Sequence, residues 1–475
     1  MVQEVAIDEM SIDPLCQLLS QDQAQRLAGA MSRARERLGA RTVWHVNATA
    51  HGGGVAEMLP TLLGYSAGAG IRNRWLVIDG EPAFFDITKR IHNLLHGNPG
   101  DGGQLGDFER ARYEELLAAN MQSIAGTIVP GDIVMLHDPQ TAGLADGLSD
   151  RGAHVIWRSH IGSDQSSPET DEAWAFLHPY IGRAESLVFS RKEFCPDWVA
   201  GERLFIMPPS IDPLSLKNRS VEANAVRSIL VRAGLLTGQD DGEPITFIRP
   251  DRSIATMRRH DGLLANSSPP PADAPLIVQV SRWDRLKDMA GVLVAFARHA
   301  ATGELARAHL MLAGPDVSGM ADDPEGAEVF AWCVALAAQQ PEMVRGRIHI
   351  AALPMDDPDE NALIVNALQR YALVIVQKSL AEGFGLTVTE AMWKARPVIA
   401  SRIGGIQDQI THERDGLLLD DPTDLDALAS SIIQLLRDHA LADRLGVAGR
   451  ARVLDQYLDD RHLVRHTELF ERVLA

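Results

Sequence analysis

Short apolar runs rich in β-branched residues alternate along the chain with longer stretches of helical periodicity. Runs such as LIVQV and ALVIV are hydrophobic at almost every position, which is typical of strands buried on both faces. Their alternation with helices predicts an α/β protein with two parallel, doubly wound sheets. The predicted strands are Thr42–Asn47, Arg74–Ile78, Asp132–Leu136, His154–Trp157, Ser186–Phe189 and Leu204–Met207 in the first half, and Leu276–Val280, His309–Ala313, Arg347–Ala351, Leu373–Val376, Pro397–Ala400 and Gly416–Leu419 in the second.

The boundary between the two halves is predicted at the segment MPPSIDP, which ends at Pro213 and whose three prolines interrupt both helix and strand. We expect an N-terminal domain over 1–213, with no motif in 1–40, and a C-terminal domain over 214–455. The polar stretch 238–274, which contains SSPPP, is interpreted as an insertion, and 456–475 as an amphipathic helix that packs back on the N-terminal domain. Two such domains facing each other predict a ligand cleft at the carboxyl ends of both sheets.

Composition narrows the class of protein further. Among 475 residues, 64 acidic side chains against 45 basic ones give a net charge of −19, which disfavours nucleic-acid binding. Three scattered cysteines indicate a reducing compartment, and the acidic N-terminus resembles no signal peptide. No apolar run approaches the roughly 20 residues that span a bilayer. We therefore expect a cytoplasmic protein without a membrane partner.

The segment EGFGLTVTEAM, from Glu382 to Met392, follows a predicted strand and opens a helix. Gly383 and Gly385 leave the backbone bare, so that amide groups at the helix start can approach an anion. Glu390 lies eight positions after Glu382, about two helical turns along, so the two carboxylates reach different parts of one elongated ligand. Carboxylates repel phosphates but accept hydrogen bonds from sugar hydroxyls. The alternative, a glycine-rich corner with two solvated glutamates, is the weaker interpretation for so long a string.

The segment SRWDRLKD follows the predicted strand Leu276–Val280. Arg282 and Lys287 can offer a planar fork and a point charge to a diphosphate. An ordinary surface loop with Arg285–Asp284 and Lys287–Asp288 ion pairs explains the same residues equally well.

The segment NATAHGGGVAE, from Asn47 to Glu57, follows the first predicted strand. Its three glycines let the backbone approach a ligand, and a structural tight turn is the alternative. The loop lacks the lysine of a nucleoside-triphosphate P-loop and departs from GxGxxG.

Together these strings resemble the retaining, GT-B-fold glycosyltransferases of family 4, through EGFGLTVTEAMWKARPVIAS-x-IGG, the Arg282/Lys287 pair and the GGG loop. Within that family, HVNATAHGGGVAEML, HDPQTAGL, MPPSIDPLSLKN, QVSRWDRLKD, AGPDVSGMADDPEG and VQKSLAEGFGLTVTEAMWK are similar to trehalose glycosyltransferring synthases. Those enzymes join a nucleotide-activated glucose to free glucose. The resemblance extends from about Arg41 to Tyr457 and implies a GT-B fold of two Rossmann-like domains.

The resemblance also implies the donor site. Arg282 and Lys287 would hold the donor diphosphate, Glu382 the glucosyl hydroxyls and Glu390 the ribose hydroxyls. Arg282, Lys287, Glu382 and His160 would form the catalytic set. Further donor contacts would come from Gly53, Gly54, Gly383, Phe384, Gly385 and Leu386.

The acceptor side is implied in the same way. His160 follows a predicted strand where retaining enzymes of this architecture place a histidine beside the transferred sugar. Asp138 stands where related enzymes place an acidic acceptor contact, and His137 and Asn47 join it in the expected acceptor site. From the residues alone, either histidine could be a hydrogen-bonded structural residue, and Asp138, before a proline, could cap a helix.

The implied mechanism is a front-face transfer in which the departing diphosphate helps to deprotonate the acceptor. With Arg282 and Lys287 neutralising the diphosphate, no metal or other cofactor is expected, and the acidic runs at 322–323 and 356–359 are interpreted as polar loops. The expected partners are a nucleoside-diphosphate glucose (ADP, UDP or GDP), glucose and trehalose. A homodimer is expected only because related enzymes are often dimers. One departure is Asp288, where the broader family usually has glycine after the lysine.

Other functions stay open on the sequence. The same donor chemistry could serve another acceptor, such as glycerate, another sugar or a sugar phosphate. A non-transferase of the same architecture, either a sugar phosphorylase or a sugar-nucleotide epimerase, and a binding module without turnover are the remaining alternatives.

Overall fold

The computed structural model describes residues 2–50, 54–265, 267–305, 307–317 and 324–475. The chain forms two units, one of Met1–Asp212 with Tyr457–Ala475 and one of Pro213–Gln456. These divisions lie within one residue of the boundaries predicted from the prolines of MPPSIDP and from the C-terminal amphipathic helix.

Twelve of the strands, β2–β7 and β10–β15 below, match the apolar runs of the sequence, and β1, β8 and β9 were not predicted. In chain order they are β1 (Gln3–Val5), β2 (Val43–Asn47), β3 (Asn73–Val77), β4 (Ile133–His137), β5 (His154–Ser159), β6 (Ser186–Phe189), β7 (Leu204–Ile206), β8 (Thr246–Ile248), β9 (Ile254–Thr256), β10 (Leu276–Val280), β11 (His309–Pro315), β12 (Ile348–Leu353), β13 (Val374–Gln377), β14 (Val398–Ser401) and β15 (Leu417–Leu419).

Helices alternate with most of these strands along the chain. They are α1 (Asp13–Cys16), α2 (Gln21–Leu38), α3 (Gly54–Gly68), α4 (Pro82–Leu95), α5 (Asp107–Ile124), α6 (Ala145–Ser149), α7 (Pro168–Ile181), α8 (Ala223–Arg232), α9 (Met289–Ala301), α10 (Pro324–Ala338), α11 (Glu342–Arg345), α12 (Pro358–Tyr371), α13 (Leu386–Trp393), α14 (Ile406–Gln409), α15 (Leu425–Arg437), α16 (His439–Gln456) and α17 (Asp459–Val473).

The sheet of the first unit has the order β1-β3-β2-β4-β5-β6-β7. All neighbouring strands are parallel except β1, which pairs antiparallel with β3. Trp44, Leu136 and Trp157 are fully buried in its core, as expected of strands covered on both faces. The C-terminal helix α17 belongs to this unit and packs on α2, where Arg33 bonds Glu471 at 2.9 Å.

The sheet of the second unit has the order β12-β11-β10-β13-β14-β15 and is parallel throughout its described strands. Its chain order reverses between β10 and β13, which makes this pair the switch point of the sheet. The loops that follow β10 and β13 therefore leave the sheet side by side, and ligands of doubly wound folds bind at such points. The two units thus form the α/β architecture that the alternating pattern predicts.

The polar stretch 238–274 contains structure that the sequence pattern did not predict. Its hairpin β8–β9 is held against the start of α12, where Arg249 Nη1 lies 2.8 Å from Asp359 Oδ2. Arg258 Nε and His260 Nε2 both bond the buried carboxylate of Glu360, at 2.9 Å and 2.6 Å. The acidic residues of 356–359 that surround the start of α12 are therefore engaged in ion pairs with the insertion.

Candidate active site

The loops after β10 and β13 are bonded to each other at the switch point of the second sheet. The backbone N–H of Leu380 donates to the carbonyl of Leu286 at 2.7 Å. At the strand ends, Gln377 Nε2 donates to Ser281 Oγ at 3.0 Å. These bonds fix the two loops that carry the candidate donor-site residues.

Lys287 and Glu382 form the centre of this site. Lys287 Nζ lies 2.6 Å from Glu382 Oε2, and both side chains are largely buried. Ser379 Oγ lies 3.4 Å from the same carboxylate oxygen. The alternative Lys287–Asp288 ion pair is not formed. The lysine of one predicted motif thus meets the glutamate of the other.

Arg282 follows β10 but does not enter the Lys287–Glu382 pair. Its side chain is 68% exposed, and Nη2 lies 3.1 Å from Asp284 Oδ2. Arg285 is also exposed and bonds Glu328 at 3.0 Å, rather than Asp284. Of the two expected diphosphate ligands, Lys287 is in contact with the glutamate and Arg282 is oriented by a neighbouring carboxylate.

Asp288, at the position where the broader family usually has glycine, caps α9 and pairs with a buried lysine. Its φ of 43° lies in the left-handed region, which explains the preference for glycine. Its Oδ1 accepts a hydrogen bond from Gly291 N at 3.1 Å and caps α9, and its Oδ2 is paired with the fully buried Lys378. Because this ion pair neutralises Asp288, the departure from glycine adds no uncompensated charge beside Lys287.

The glycine segment before α13 is held by the loop that follows β14. Gly385 has a φ of 83° and precedes the first residue of the helix. Gly405 N donates to Gly383 O at 2.7 Å, and Gln409 Nε2 donates to Phe384 O at 2.5 Å. Leu386 begins α13, whose first amide groups have no acceptor within the helix. The expected anion-binding amides are thus presented on a fixed loop.

Glu390 is a buried carboxylate with one oxygen available. Its side chain is 5% exposed, and Oε1 lies 3.3 Å from Lys217 Nζ. Oε2 is buried and has no hydrogen-bond partner among the described residues, an arrangement that costs free energy unless a ligand bonds it. The ammonium of Lys394 bonds the backbone carbonyl of Glu390 at 3.2 Å, and burial lowers the pKa of Lys394 to about 7.

Lys217 is a site residue that the motif analysis missed. It lies in the segment that opens the second unit and next to Asn218, which accepts a hydrogen bond from Lys394 Nζ at 3.0 Å. Lys217 is the lysine of the segment MPPSIDPLSLKN, which the sequence analysis quoted without assigning it a role. A lysine in this segment was the signal that could have indicated a partner for a buried glutamate.

The candidate acceptor residues lie at the ends of β4 and β5 in the first unit. Asp138 has a φ of 62°, and its Oδ1 accepts a hydrogen bond from the backbone N–H of His160 at 2.7 Å. Its side chain makes no helix-capping bond to the 3₁₀ turn that follows. Burial raises the pKa of Asp138 to about 7. The structure thus brings Asp138 and His160 together, and their roles toward a sugar stay predictions.

His137 and Asn47 are positioned differently from the expectation. His137 is buried, with Nε2 at 3.1 Å from His45 Nδ1 and Nδ1 at 3.0 Å from His160 Nε2. Asn47 is buried too; it accepts from Trp75 Nε1 at 2.8 Å and donates to Thr49 O at 2.7 Å. Both ring nitrogens of His137 are therefore engaged within the protein, and its expected contact with the acceptor stays a prediction. The side chain of Asn47 likewise shapes the turn after β2.

Four further buried side chains of the first unit are joined by hydrogen bonds, and the sequence analysis also missed this arrangement. Arg158 Nη1 lies 2.9 Å from His462 Nε2, His462 Nδ1 lies 3.0 Å from Ser210 Oγ, and Ser210 donates to Asp459 at 2.6 Å. Burial lowers the pKa of Arg158 to about 9 and raises that of Asp459 to about 8. The local signal for this hydrogen-bonded arrangement was Arg158, an arginine inside the apolar strand β5.

Two of the predictions concern residues outside the described ranges. Gly53 of the glycine loop and the acidic run 322–323 lie outside them. Gly54, the other glycine expected to contact the donor, is described and is the first residue of α3. In the described parts of the chain, no group of three or more His, Cys, Asp or Glu side chains could hold a metal ion. Within the same ranges, no helix is long and apolar enough to cross a membrane.

The fold and this site define the class of protein. Residues 263–452 match the family described as "Glycosyl transferases group 1", and residues 45–196 match "Trehalose synthase, N-terminal domain". Among solved structures, "Trehalose-6-phosphate from E. coli bound with UDP-2-fluoro glucose" is similar with a TM-score of 0.64 at 14% identity, covering 91% of this chain and 99% of that chain. At that identity the likeness shows the fold alone. The chain is a glycosyltransferase of the GT-B fold.

Curated relatives define the family more narrowly. The trehalose synthase of Rubrobacter xylanophilus is 34% identical over 454 residues, covering 95% of this chain and 93% of the relative. The trehalose synthase of Thermococcus litoralis is 31% identical over 440 residues, covering 93% and 92%. The chain therefore belongs to the trehalose synthase family and is a hexosyltransferase of trehalose metabolism. A more distant relative, the trehalose phosphorylase of Pleurotus pulmonarius, is 28% identical, covering 86% of this chain and 54% of that protein.

Proposed function

We propose that this enzyme transfers an α-glucosyl unit from a nucleoside-diphosphate glucose to free glucose and forms trehalose with retention. The observation that carries this proposal is the 2.6 Å contact between Lys287 and Glu382 at the start of α13. It places a cation for a departing diphosphate beside a carboxylate that can accept hydrogen bonds from sugar hydroxyls. The names of the curated relatives support the choice of trehalose as the product.

The donor is held by residues of the second unit. The diphosphate takes Lys287 as its counter-charge in place of Glu382, and Arg282 swings from Asp284 to complete the neutralisation. Glu382, released from the lysine, accepts hydrogen bonds from the glucosyl ring. The buried, unpartnered Oε2 of Glu390 accepts from a ribose hydroxyl. Satisfying this oxygen adds a charge-assisted hydrogen bond, worth about 1.5–3 kcal/mol.

The transfer occurs on one face of the sugar. As the bond to the diphosphate lengthens, a leaving-group oxygen takes the proton from the acceptor hydroxyl, and that hydroxyl oxygen bonds the same face of the anomeric carbon. Negative charge develops on the leaving group, so Lys287, Arg282 and the amides from Gly383 to Leu386 supply the largest stabilisation. No metal ion or other cofactor takes part. Asp138 and His160 of the first unit serve the acceptor and the transferred sugar.

The test is an incubation of the purified protein with ADP-, UDP- and GDP-glucose in EDTA, with products identified by NMR. Each donor is tested with glucose, with glycerate, with a sugar phosphate and without any acceptor. Trehalose formed only when glucose is present supports the proposal. A glycoside formed with glycerate or a sugar phosphate but not with glucose would show that glucose is not the acceptor. Nucleotide release without any glycoside would contradict the proposed transfer.

A phosphorylase is the second candidate, favoured by the similarity to the Pleurotus pulmonarius enzyme. It differs in needing trehalose and orthophosphate, or glucose 1-phosphate and glucose, and no nucleotide. Formation of glucose 1-phosphate from trehalose and orthophosphate, with no reaction of any nucleotide sugar, would support this candidate. The cytoplasmic location and the homodimer stay predictions.

A further inference from the structure

Three histidines of the first unit form a hydrogen-bonded string that leads from the sheet to the candidate acceptor site. His45 in β2, His137 at the end of β4 and His160 after β5 come from three adjacent strands. Their rings are stacked in pairs, with centroids 5.4 Å and 5.3 Å apart. Each contact joins an Nδ1 to an Nε2: His45 Nδ1 to His137 Nε2 at 3.1 Å, and His137 Nδ1 to His160 Nε2 at 3.0 Å.

The surroundings keep these imidazoles neutral. His45 and His137 are buried, and the positive charge of the buried Arg158 acts on their rings. Burial and this positive charge lower the pKa of each of the three rings below the usual value of 6.5. The other titratable groups that act on them are His462 and His466 from α17 and the carboxyl of Asp138.

Because these neutral rings are hydrogen-bonded to one another, their tautomers are coupled. A neutral imidazole has one N–H and one bare nitrogen. If His45 donates from Nδ1, His137 accepts at Nε2, carries its proton on Nδ1 and donates to His160, whose proton then sits on Nδ1. If the direction reverses, all three protons sit on Nε2. The Nδ1 of His160, for which no bond to a described residue is seen, is a donor in the first state and an acceptor in the second.

We propose that His137 and His45 are positioning residues that fix the tautomer of His160, so that the string decides whether His160 donates to or accepts from a bound sugar. The kinetic part rests on the proposed function, because it takes His160 to contact the transferred sugar. The shared tautomer does not depend on it. His137 thus acts on the reaction through His160 rather than by touching substrate.

The direct test is NMR of the ligand-free protein labelled with ¹⁵N in histidine. Two-bond ¹H–¹⁵N correlations distinguish Nδ1–H, Nε2–H and doubly protonated rings, and spectra of His45→Gln, His137→Gln and His160→Gln assign the three residues. The expected result at pH 6 to 8 is three neutral rings of one tautomer, either all Nδ1–H or all Nε2–H. A mixed set, or a doubly protonated ring, overturns the proposal.

A double-mutant cycle tests the functional coupling. His137→Phe should lower kcat, and His137→Phe/His160→Ala should be no slower than His160→Ala alone, to within about twofold. Losses that multiply would show that His137 does not act through His160. If His137→Phe does not fold, His137→Gln takes its place with the same expectation. His154→Ala is the control, since His154 begins β5 and bonds Glu185 at 2.9 Å, away from the string.

The two measurements separate the two proposals. A shared tautomer in a protein that makes no trehalose leaves the string intact and contradicts the proposed function. Trehalose synthesis by a protein with a mixed set of tautomers contradicts only the string.

Discussion

The ammonium group of Lys287 lies 2.6 Å from a carboxylate oxygen of Glu382, although 95 positions separate the two residues in sequence. The contact exists because β10 and β13 are neighbours in a parallel sheet, so that the loops after them share one edge. A carboxylate held by a lysine has a defined orientation before a ligand arrives. In the proposed mechanism the diphosphate replaces this carboxylate as the counter-ion of Lys287 and leaves Glu382 to accept hydrogen bonds from the sugar.

Lys287→Met should lower kcat by about 10²–10³, the usual cost of removing one group that stabilises developing negative charge. The matched control is Arg285→Met, which removes a cation two positions away that bonds Glu328 on the surface. The control should change kcat little. Steady-state kinetics at saturating donor measures both, and equal losses in the two variants would refute a specific role for Lys287.

Glu382→Ala and Glu390→Ala should separate turnover from nucleotide affinity. Glu382→Ala should mainly reduce kcat, because the proposed function assigns its carboxylate to the glucosyl hydroxyls of the reacting sugar. Glu390→Ala should mainly weaken nucleotide binding, by about 10- to 100-fold, since a charge-assisted hydrogen bond is worth roughly 1.5–3 kcal/mol. Calorimetric titration with the nucleoside diphosphate gives the Kd values. Equal changes in Kd for both variants would contradict this division.

Gly404→Ala should reduce activity by displacing the glycine loop before α13. Gly404 has a φ of 47°, and an added Cβ would clash with the carbonyl oxygen of Glu382 and lie 2.8 Å from that of Gly383. The control Gly303→Ala has a φ of 88° with no atom within 4 Å, so it carries the backbone strain without the clash. Only Gly404→Ala should lose turnover. A similar loss in both variants would indicate general destabilisation instead.

Asp138→Asn should change the pH dependence of stability. The folded-state pKa of Asp138 is about 7, above the ordinary value of 3.8, so between these pH values the folded state keeps a proton that the unfolded state has lost. Stability from this group therefore falls as pH rises from about 4 to 7. The Tm of Asp138→Asn relative to the unsubstituted protein should increase from pH 5 to pH 8.

Asp101→Asn is the control for this pH experiment. The bond to Arg90 lowers the pKa of Asp101 to about 2, so its contribution is lost only as pH falls below about 4. Its Tm difference from the unsubstituted protein should stay constant from pH 5 to 8. A constant difference for Asp138→Asn as well would show that the Asp138 carboxyl is ionised throughout.

Sequence reasoning was most accurate where a feature is encoded locally. The run LIVQV is β10, and the other predicted parallel strands were found within three residues of their expected ends. The edge strand β1 was missed because its three residues are polar or only partly buried and show no apolar run. The hairpin β8–β9 was missed because ion pairs to α12, far along the chain, hold it in place.

The same distinction between locally encoded and long-range features applies to the residues of the candidate site. Motif residues that follow strands were brought together as predicted for Lys287 and Glu382, since strand ends in a parallel sheet converge. His45, Lys217 and His462 were missed because nothing in their own segments indicates which partner they contact: His137 lies 92 positions from His45, and Arg158 lies 304 from His462. No local pattern indicates that both ring nitrogens of His137 are bonded to other histidines, and its expected acceptor role stays a prediction.

The most direct test of the central claim uses glucose labelled with ¹³C at C1 and an unlabelled nucleoside-diphosphate glucose in EDTA, followed by ¹³C and ¹H NMR. The expected product is α,α-trehalose with the label in one ring only, formed at the same rate as the nucleoside diphosphate is released. Label-free trehalose, a β-linked product, or nucleotide release with the labelled glucose unchanged would contradict retaining transfer from the nucleotide sugar to glucose.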